Sequence, residues 1–293
     1  MPSSPSSSAQ AARERLGEQL REMRAAERIS GVDFARRAGW RDSSLVSRTE
    51  RGQRPITVET VRLWCRVCEV PDHRMAELLA EQASVARMWV SLREHHDLGL
   101  DARQKATVGD LYSRIDAEFS YQTKVLPGLL QTKDYMTEML RGVRRDRRLE
   151  LDDVADAVAT RMDRQRNLHR PGVRFWFLLE ETVLRYLYCA PAVHRAQLEY
   201  LMGAMRLPSV YAVAIIPMNS GRRGIRARES FEIDTFPNGS VEAQVELLSG
   251  LLTLTHPEDV ALYRRAWDDL FGLAVIGKEA RALIRSALAA LDG

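Results

Sequence analysis

The sequence predicts two domains of different class: an all-α five-helix domain built on a helix-turn-helix, then an α+β domain with a small, mainly antiparallel sheet. Three observations predict it. At 293 residues the chain is too long for one small domain and fits two. Residues 29 to 52 place two short amphipathic helical patterns on either side of Gly39. Two alternating runs, Phe231 to Thr235 and Val241 to Leu247, flank the turn pair Asn238-Gly239.

Taken in order, residues 1–10 are expected to form a disordered tail, because Met-Pro-Ser-Ser-Pro-Ser-Ser-Ser-Ala lacks the apolar core of a secretion signal. Ala11 to Glu27 predicts a helix with Leu16, Leu20 and Met23 on one stripe. A short helix fits Gly31 to Ala38, with Ser30 and Asp33 spaced as a capping box and Ala35 small enough for a helix crossing. Gly39 supplies the tight turn, where positive φ costs little. In the helix after it, Val46 and Thr49 face inward, Ser43, Ser44, Ser47 and Arg48 face outward, and Gly52 ends it. A fourth helix starts at Thr57 or Val58, and a fifth runs from Pro71-Asp72 to about Ala83. Residues 11–84 thus read as a compact helical domain of the phage-repressor type, and residues 85–105 as a helical connector.

Residues 106–293 mix periods. Val108 to Phe119, Asp134 to Leu140, Leu151 to Asn167 and Pro191 to Met205 predict helices, and a basic loop, Arg141 to Arg148, separates the second from the third. Val173 to Leu179 and Ser209 to Ile216 predict strands rich in branched and aromatic residues. The Asn-Gly hairpin follows, a third strand runs through Leu251 to Leu254, and two helices, Pro257 to Phe271 and Lys278 to Leu291, end the chain.

Composition narrows function. With 45% hydrophobic and 28% charged residues the chain reads as a globular protein, and no run of eighteen apolar residues suggests a membrane span. Net charge is only +3, but Arg28 to Arg54 holds seven arginines against Asp33, Asp42 and Glu50. That local excess of positive charge suits phosphate attraction. Cys65 and Cys68 form a C-x-x-C inside a predicted helix, with no second pair to complete a zinc site, and are expected in the core. Adjacent His95 and His96 would point about 100° apart on a helix, a poor chelate. There is no Gly-x-Ser-x-Gly, phosphate-binding Gly-rich loop or His-Glu-x-x-His, so neither an enzyme nor a cofactor is expected.

Several motifs carry a family resemblance. They are Gly39-Trp40, Ser47-Arg48 and Glu50-Arg51-Gly52, then Pro127-Gly128-Leu129-Leu130-Gln131-Thr132 with Tyr135, and Arg161-Met162-Asp163-Arg164-Gln165. Leu178 to Glu181, Gln197-Leu198 and Ile215-Ile216-Pro217 extend them. In these the chain resembles the actinomycete WhiJ-type, antitoxin-like helix-turn-helix regulators of the XRE class, which add a C-terminal domain of unassigned function. The chain departs from the pattern by one extra residue between Gly39 and Val46, and by Gly31 where a Gln is usual. The helix-turn-helix residues point to double-stranded DNA as partner, and the few phosphates one such domain can contact point to a homodimer on two half-sites, in a cytoplasmic, nucleoid-associated regulator. The resemblance implies in addition a small acidic partner protein encoded nearby.

On DNA, Arg48 is the best base reader, since arginine bonds both major-groove acceptors of guanine. Ser43, Ser44 and Ser47 suit bases or phosphates, and Arg51 and Arg54 suit phosphate. The longer spacing leaves open which of Arg41, Asp42, Ser43 and Ser44 reaches a base edge. In the second domain Arg161, Arg164, Gln165 and Glu181 are either the lining of a ligand or partner pocket or a structural salt-bridge network. The C-terminal domain is expected to serve dimerisation, partner binding or signal reception.

Overall fold

The computed structural model describes residues 5–91, 99–108, 110–248 and 250–292, and the chain divides into two compact units, Met1–Val90 and Ser91–Gly293. The first is helical: α1 (Pro5–Ala26), α2 (Gly31–Arg37), α3 (Ser44–Glu50), α4 (Val58–Val67) and α5 (Asp72–Met88), with a three-residue strand β1 (Trp89–Ser91) at its end. Helix α1 begins six residues before the expected Ala11; Pro5 sits at a first helical position, where its missing N–H breaks no bond. Residues 1–4 lie outside the described residues. The helix expected to stop near Ala83 continues to Met88, and Trp89-Val90-Ser91 is extended, so residues 85–105 are not one helical connector. His95 and His96 lie outside the described residues.

The core of this unit forms where the apolar stripes converge. Leu16, Leu20, Phe34, Val46, Val61, Trp64 and Leu78 are fully buried. Phe34 lies 4.1 Å from Trp64, and Trp40 closes the aromatic group 5.5 Å from Trp64. Cys65 and Cys68 join this core, and burial pushes the Cys68 thiol up to about 11. Helices α1 and α3 approach at Gly17: a Cβ there would sit 2.8 Å from the Thr49 carbonyl oxygen and closer still to that of Glu50. Gly17→Ala is therefore expected to cost about 1–3 kcal/mol through overpacking, read as earlier thermal unfolding of this unit.

The second unit contains α6 (Gly99–Thr107), α7 (Leu111–Arg114), β2 (Ala117–Gln122), α8 (Lys133–Asp146), α9 (Val154–Arg164), β3 (Arg174–Glu180), α10 (Pro191–Ala204) and β4 (Val210–Ile216). It continues with β5 (Phe231–Thr235), β6 (Val241–Leu247), β7 (Gly250–Leu254), α11 (Pro257–Phe271) and α12 (Gly277–Ala289). Its strands stand in the order β7-β6-β5-β2-β3-β4. The hairpin strands β5, β6 and β7 pair antiparallel, as does β2 with β5, but β2, β3 and β4 run parallel. The expected small, mainly antiparallel sheet is thus corrected to a six-stranded mixed one. Helices α8 and α9 link β2 to β3, and α10 links β3 to β4, the crossovers that parallel pairing demands. Strands β3 and β4 are each buried at five of seven positions, which explains their long apolar runs.

Two further expectations are revised. Val108 to Phe119 is not one helix: α7 ends at Arg114, and Ala117 onward pairs with Arg174 and Thr235 on either side. The basic stretch Arg141 to Arg148 is mostly the last turns of α8, not a loop. The Asn238-Gly239 turn is as expected, with Gly239 at φ 81°.

Candidate nucleic-acid interface

Local chemistry sets the helix-turn-helix. Ser30 Oγ accepts the Asp33 backbone N–H at 3.0 Å and donates to the Asp33 carboxylate at 2.6 Å, fixing the start of α2. Gly39 takes φ 71°, and the Trp40 N–H returns to the Ala35 carbonyl at 2.8 Å. Asp42 starts α3: the Ser44 backbone N–H and hydroxyl both donate to its carboxylate, which holds that carboxyl below its usual range and ionised. These bonds make Asp42 the cap of α3, while Ser43 at the N-cap position makes no side-chain cap bond.

Helix α3 has two unlike faces. Val46 and Thr49 are fully buried, and Glu50 is nearly so. On the opposite side Ser44, Ser47, Arg48 and Arg51 follow one another at spacings of three and four, and hydrogen bonds join them. Ser47 Oγ donates to the Ser44 carbonyl at 3.1 Å, Arg48 to Ser44 Oγ at 3.3 Å, and Arg51 to Ser47 Oγ at 3.3 Å. Arg41, Ser43, Ser44, Arg48 and Arg51 are exposed; Ser47 and Arg54 are half-buried. Arg48 also approaches Asp42 at 3.9 Å, an exposed ion pair easily exchanged for a phosphate or base. Arg54 stands apart from α3, its guanidinium 5.6 Å from the centre of the Trp40 ring. Arg37, exposed at the end of α2, is one more cation beside the turn that the periodicity argument passed over.

Glu50 supports this face from behind. Arg24 of α1 donates to both Glu50 oxygens, at 2.6 and 2.9 Å, and to the Ile29 carbonyl at 2.7 Å. The ion pair raises the Arg24 guanidinium above its ordinary value, chiefly through the Glu50 hydrogen bonds. One side chain thereby ties α1, the entry to α2 and the end of α3 together. Gly52 follows at φ 63°, where a Cβ would sit 2.8 Å from the Glu14 nitrogen.

The residues singled out in the second unit separate into two groups. Arg161 and Arg164 of α9 line a cavity of ≈ 200 Å³ with Gln131 and Glu232. Gln165 braces its rim, donating to the Gln131 carbonyl at 2.5 Å. Glu181 lies elsewhere: it accepts Arg185 at 2.6 Å and the Met218 N–H at 2.9 Å, tying the end of β3 to the segment after β4. The basic segment from Arg222 is partly engaged as well, since Arg222 pairs with the buried carboxylate of Glu180.

Two comparisons bear on these arrangements. Residues 15–78 match a helix-turn-helix domain, and residues 113–286 match a domain of unknown function, DUF5753. Neither curated proteins nor solved structures give a match. Among the described residues, no helix is long and apolar enough to cross a membrane.

Proposed function

The chain belongs to the DUF5753 family, and from that membership, joined to an N-terminal helix-turn-helix domain, we propose that it is a sequence-specific DNA-binding transcriptional regulator. The observation that carries this reading is the division of α3: its inner face is packed and pinned by Arg24, while Ser44, Ser47, Arg48 and Arg51 stand together on its outer face. A helix so presented lies in the major groove, with Arg48 on a base edge and Arg51 on phosphate. No catalytic step belongs to this reading. One helix-turn-helix touches few phosphates, so the regulator acts as a homodimer on two half-sites, in the cytoplasm at the nucleoid. The resemblance to WhiJ-type regulators of the XRE class also supports an antitoxin-like role, with the C-terminal domain binding a small partner protein.

Footprinting the purified full chain across its own upstream region tests the DNA reading. Protection of a discrete site is expected; no protection at low salt would end the proposal. Arg48→Ala is expected to cost about 1–3 kcal/mol of discrimination between that site and random DNA. Arg51→Ala should instead weaken both by the same factor and reduce the salt slope by about 1.

A further inference from the structure

Strands β2, β3 and β4 are parallel, so the segments that leave Gln122, Glu180 and Ile216 emerge at one end of the sheet. Hydrogen bonds tie these segments together there. Ser230 Oγ accepts the Thr123 N–H at 3.1 Å, Glu181 accepts the Met218 N–H at 2.9 Å, and Arg222 pairs with Glu180. The loop from Met218 to Ser230, which joins β4 to β5, holds Arg222, Arg223, Arg226 and Arg228 against Glu229. That local excess is as large as the net charge of +3 on the whole chain.

The loop is fixed at its base and charged at its surface. Arg222 is engaged by the buried Glu180 carboxylate, the Ile225 N–H closes a turn on the Arg222 carbonyl at 2.8 Å, and Glu229 accepts the Tyr263 hydroxyl at 2.8 Å. Arg223, Arg226 and Arg228 are exposed, as is Lys124, the neighbour of Thr123. Among the described residues, no carboxylate forms an ion pair with any of these four. Arg223 is also strained, at φ 47°. Arg28, Glu69 and Arg148 share that conformation, but each follows the end of a helix, where it closes the last turn. Arg223 closes no helix and holds a conformation in which glycine would cost less. An ordered loop that presents unpaired guanidiniums loses little conformational freedom when an anion meets it. Guanidinium forks match phosphate oxygens, and cations spread along two segments suit a charge repeated along a chain.

We propose that this end of the sheet is a second DNA contact, in which Arg223, Arg226, Arg228 and Lys124 bind phosphates of the double-stranded backbone. It reads no sequence, because phosphate contacts hold a protein in place without distinguishing bases. The inference rests on the DNA-binding reading of the first unit: a chain already held on a duplex brings these cations to its phosphates at high effective concentration. Contacts too weak to act alone then add to the affinity of the whole.

Fluorescence anisotropy of a random-sequence duplex with the full chain tests it, read as the slope of log affinity against log salt between about 50 and 200 mM. The double change Arg226→Gln with Arg228→Gln is expected to reduce that slope by about 2 and to weaken binding by about ten-fold or more. Arg174 and Arg206 are exposed at the opposite end of the parallel strands. Changing both to glutamine removes the same charge and is expected to weaken binding by less than about three-fold. Arg223→Gly is expected to melt no earlier than wild type and still to bind the duplex more weakly, by about five-fold. The inference alone is overturned if the two double variants behave alike, or if Arg51→Ala lowers the slope and the Arg226, Arg228 variant does not. A variant that keeps its duplex affinity but loses binding to phosphatidylglycerol vesicles would assign the loop to a membrane surface and overturn it too. If the wild type binds no duplex at low salt, the DNA-binding reading itself falls and takes this inference with it.

Discussion

Glu50→Ala is expected to destabilise the N-terminal unit by about 3–5 kcal/mol, the usual cost of removing one partner of a buried ion pair. The loss is large because the remaining partner has nowhere to go. Arg24 is 16% exposed and Glu50 5%, so alanine would leave a guanidinium in the protein interior with only the Ile29 carbonyl to accept from it. A small helical unit has little stability in reserve against such a loss. Hydrogen exchange on the full chain measures it locally: protection should collapse in α1 to α4 and persist in the strands of the second unit. DNA binding should fall in parallel, although Glu50 faces away from the outer side of α3. The double change Arg24→Met with Glu50→Leu should recover most of the protection, because apolar groups of similar volume replace a buried pair at little cost. Unchanged protection in Glu50→Ala would show that the pair holds nothing together.

That scaffold explains what the sequence made legible and what it hid. Features depending on a few adjacent residues were readable: the Ser30 cap, the turns at Gly39 and Gly239, and the inward Val46 and Thr49. Each follows from a local rule, a side chain meeting a nearby N–H or a backbone angle that favours glycine. What depends on distant partners was not readable. Gly17 looks like any helix residue until α3 lies against it, and Glu50 reads as a surface acid until Arg24 reaches it. The same holds for β2. Ala117 to Gln122 has few branched residues, and its strand state comes from pairing with β3 on one side and β5 on the other. With β2 unrecognised as a parallel partner, the sheet looked mostly antiparallel.

The candidate cavity was half legible for the same reason. Arg161 and Arg164 stood out by motif, but the opposing wall did not, because Glu232 and Asp234 are the polar positions of an alternating strand. Alternation usually marks one wetted face. Here Asp234 is fully buried, with α6, α7 and α9 contributing Gln104, Tyr112 and Arg164 to the surroundings of that face. Glu181, a polar motif residue like the arginines, lies apart from them in the fold, where it secures a strand end.

Raising pH from 5 to 8 is expected to destabilise the second unit, the reverse of the behaviour given by ordinary surface ion pairs. Burial pushes the Glu232 carboxyl up to about 7, helped by repulsion from Glu246 and opposed by Arg161. Glu118 and Asp234 are also driven well above the carboxylate range, first by burial, then by repulsion from Glu232. For Glu118 the repulsion of Asp234 adds to this, and for Asp234 that of Glu242. Hydrogen bonds from Tyr112 to Glu118 and from Gln244 to Asp234 favour the ionised forms and are outweighed. The folded state thus holds protons that the unfolded chain has already released. Stability is fully present below the unfolded values near 4.5 and is lost as pH rises through the folded ones. Glu232 alone accounts for about 2–3 kcal/mol between pH 5 and 8, and the other two add in the same direction. For a unit of this size that is a drop of roughly 5–10 °C in its melting midpoint. Carboxylates with lowered values, such as Glu181, are already ionised at pH 5 and contribute little slope in this window. Thermal melts of the wild type and Glu232→Gln at both pH values isolate the effect: the variant should gain stability at pH 8 and show a flatter pH dependence. A midpoint that rises with pH in the wild type, or a variant with the same slope, would mean that these carboxyls ionise in the folded protein as they do in water.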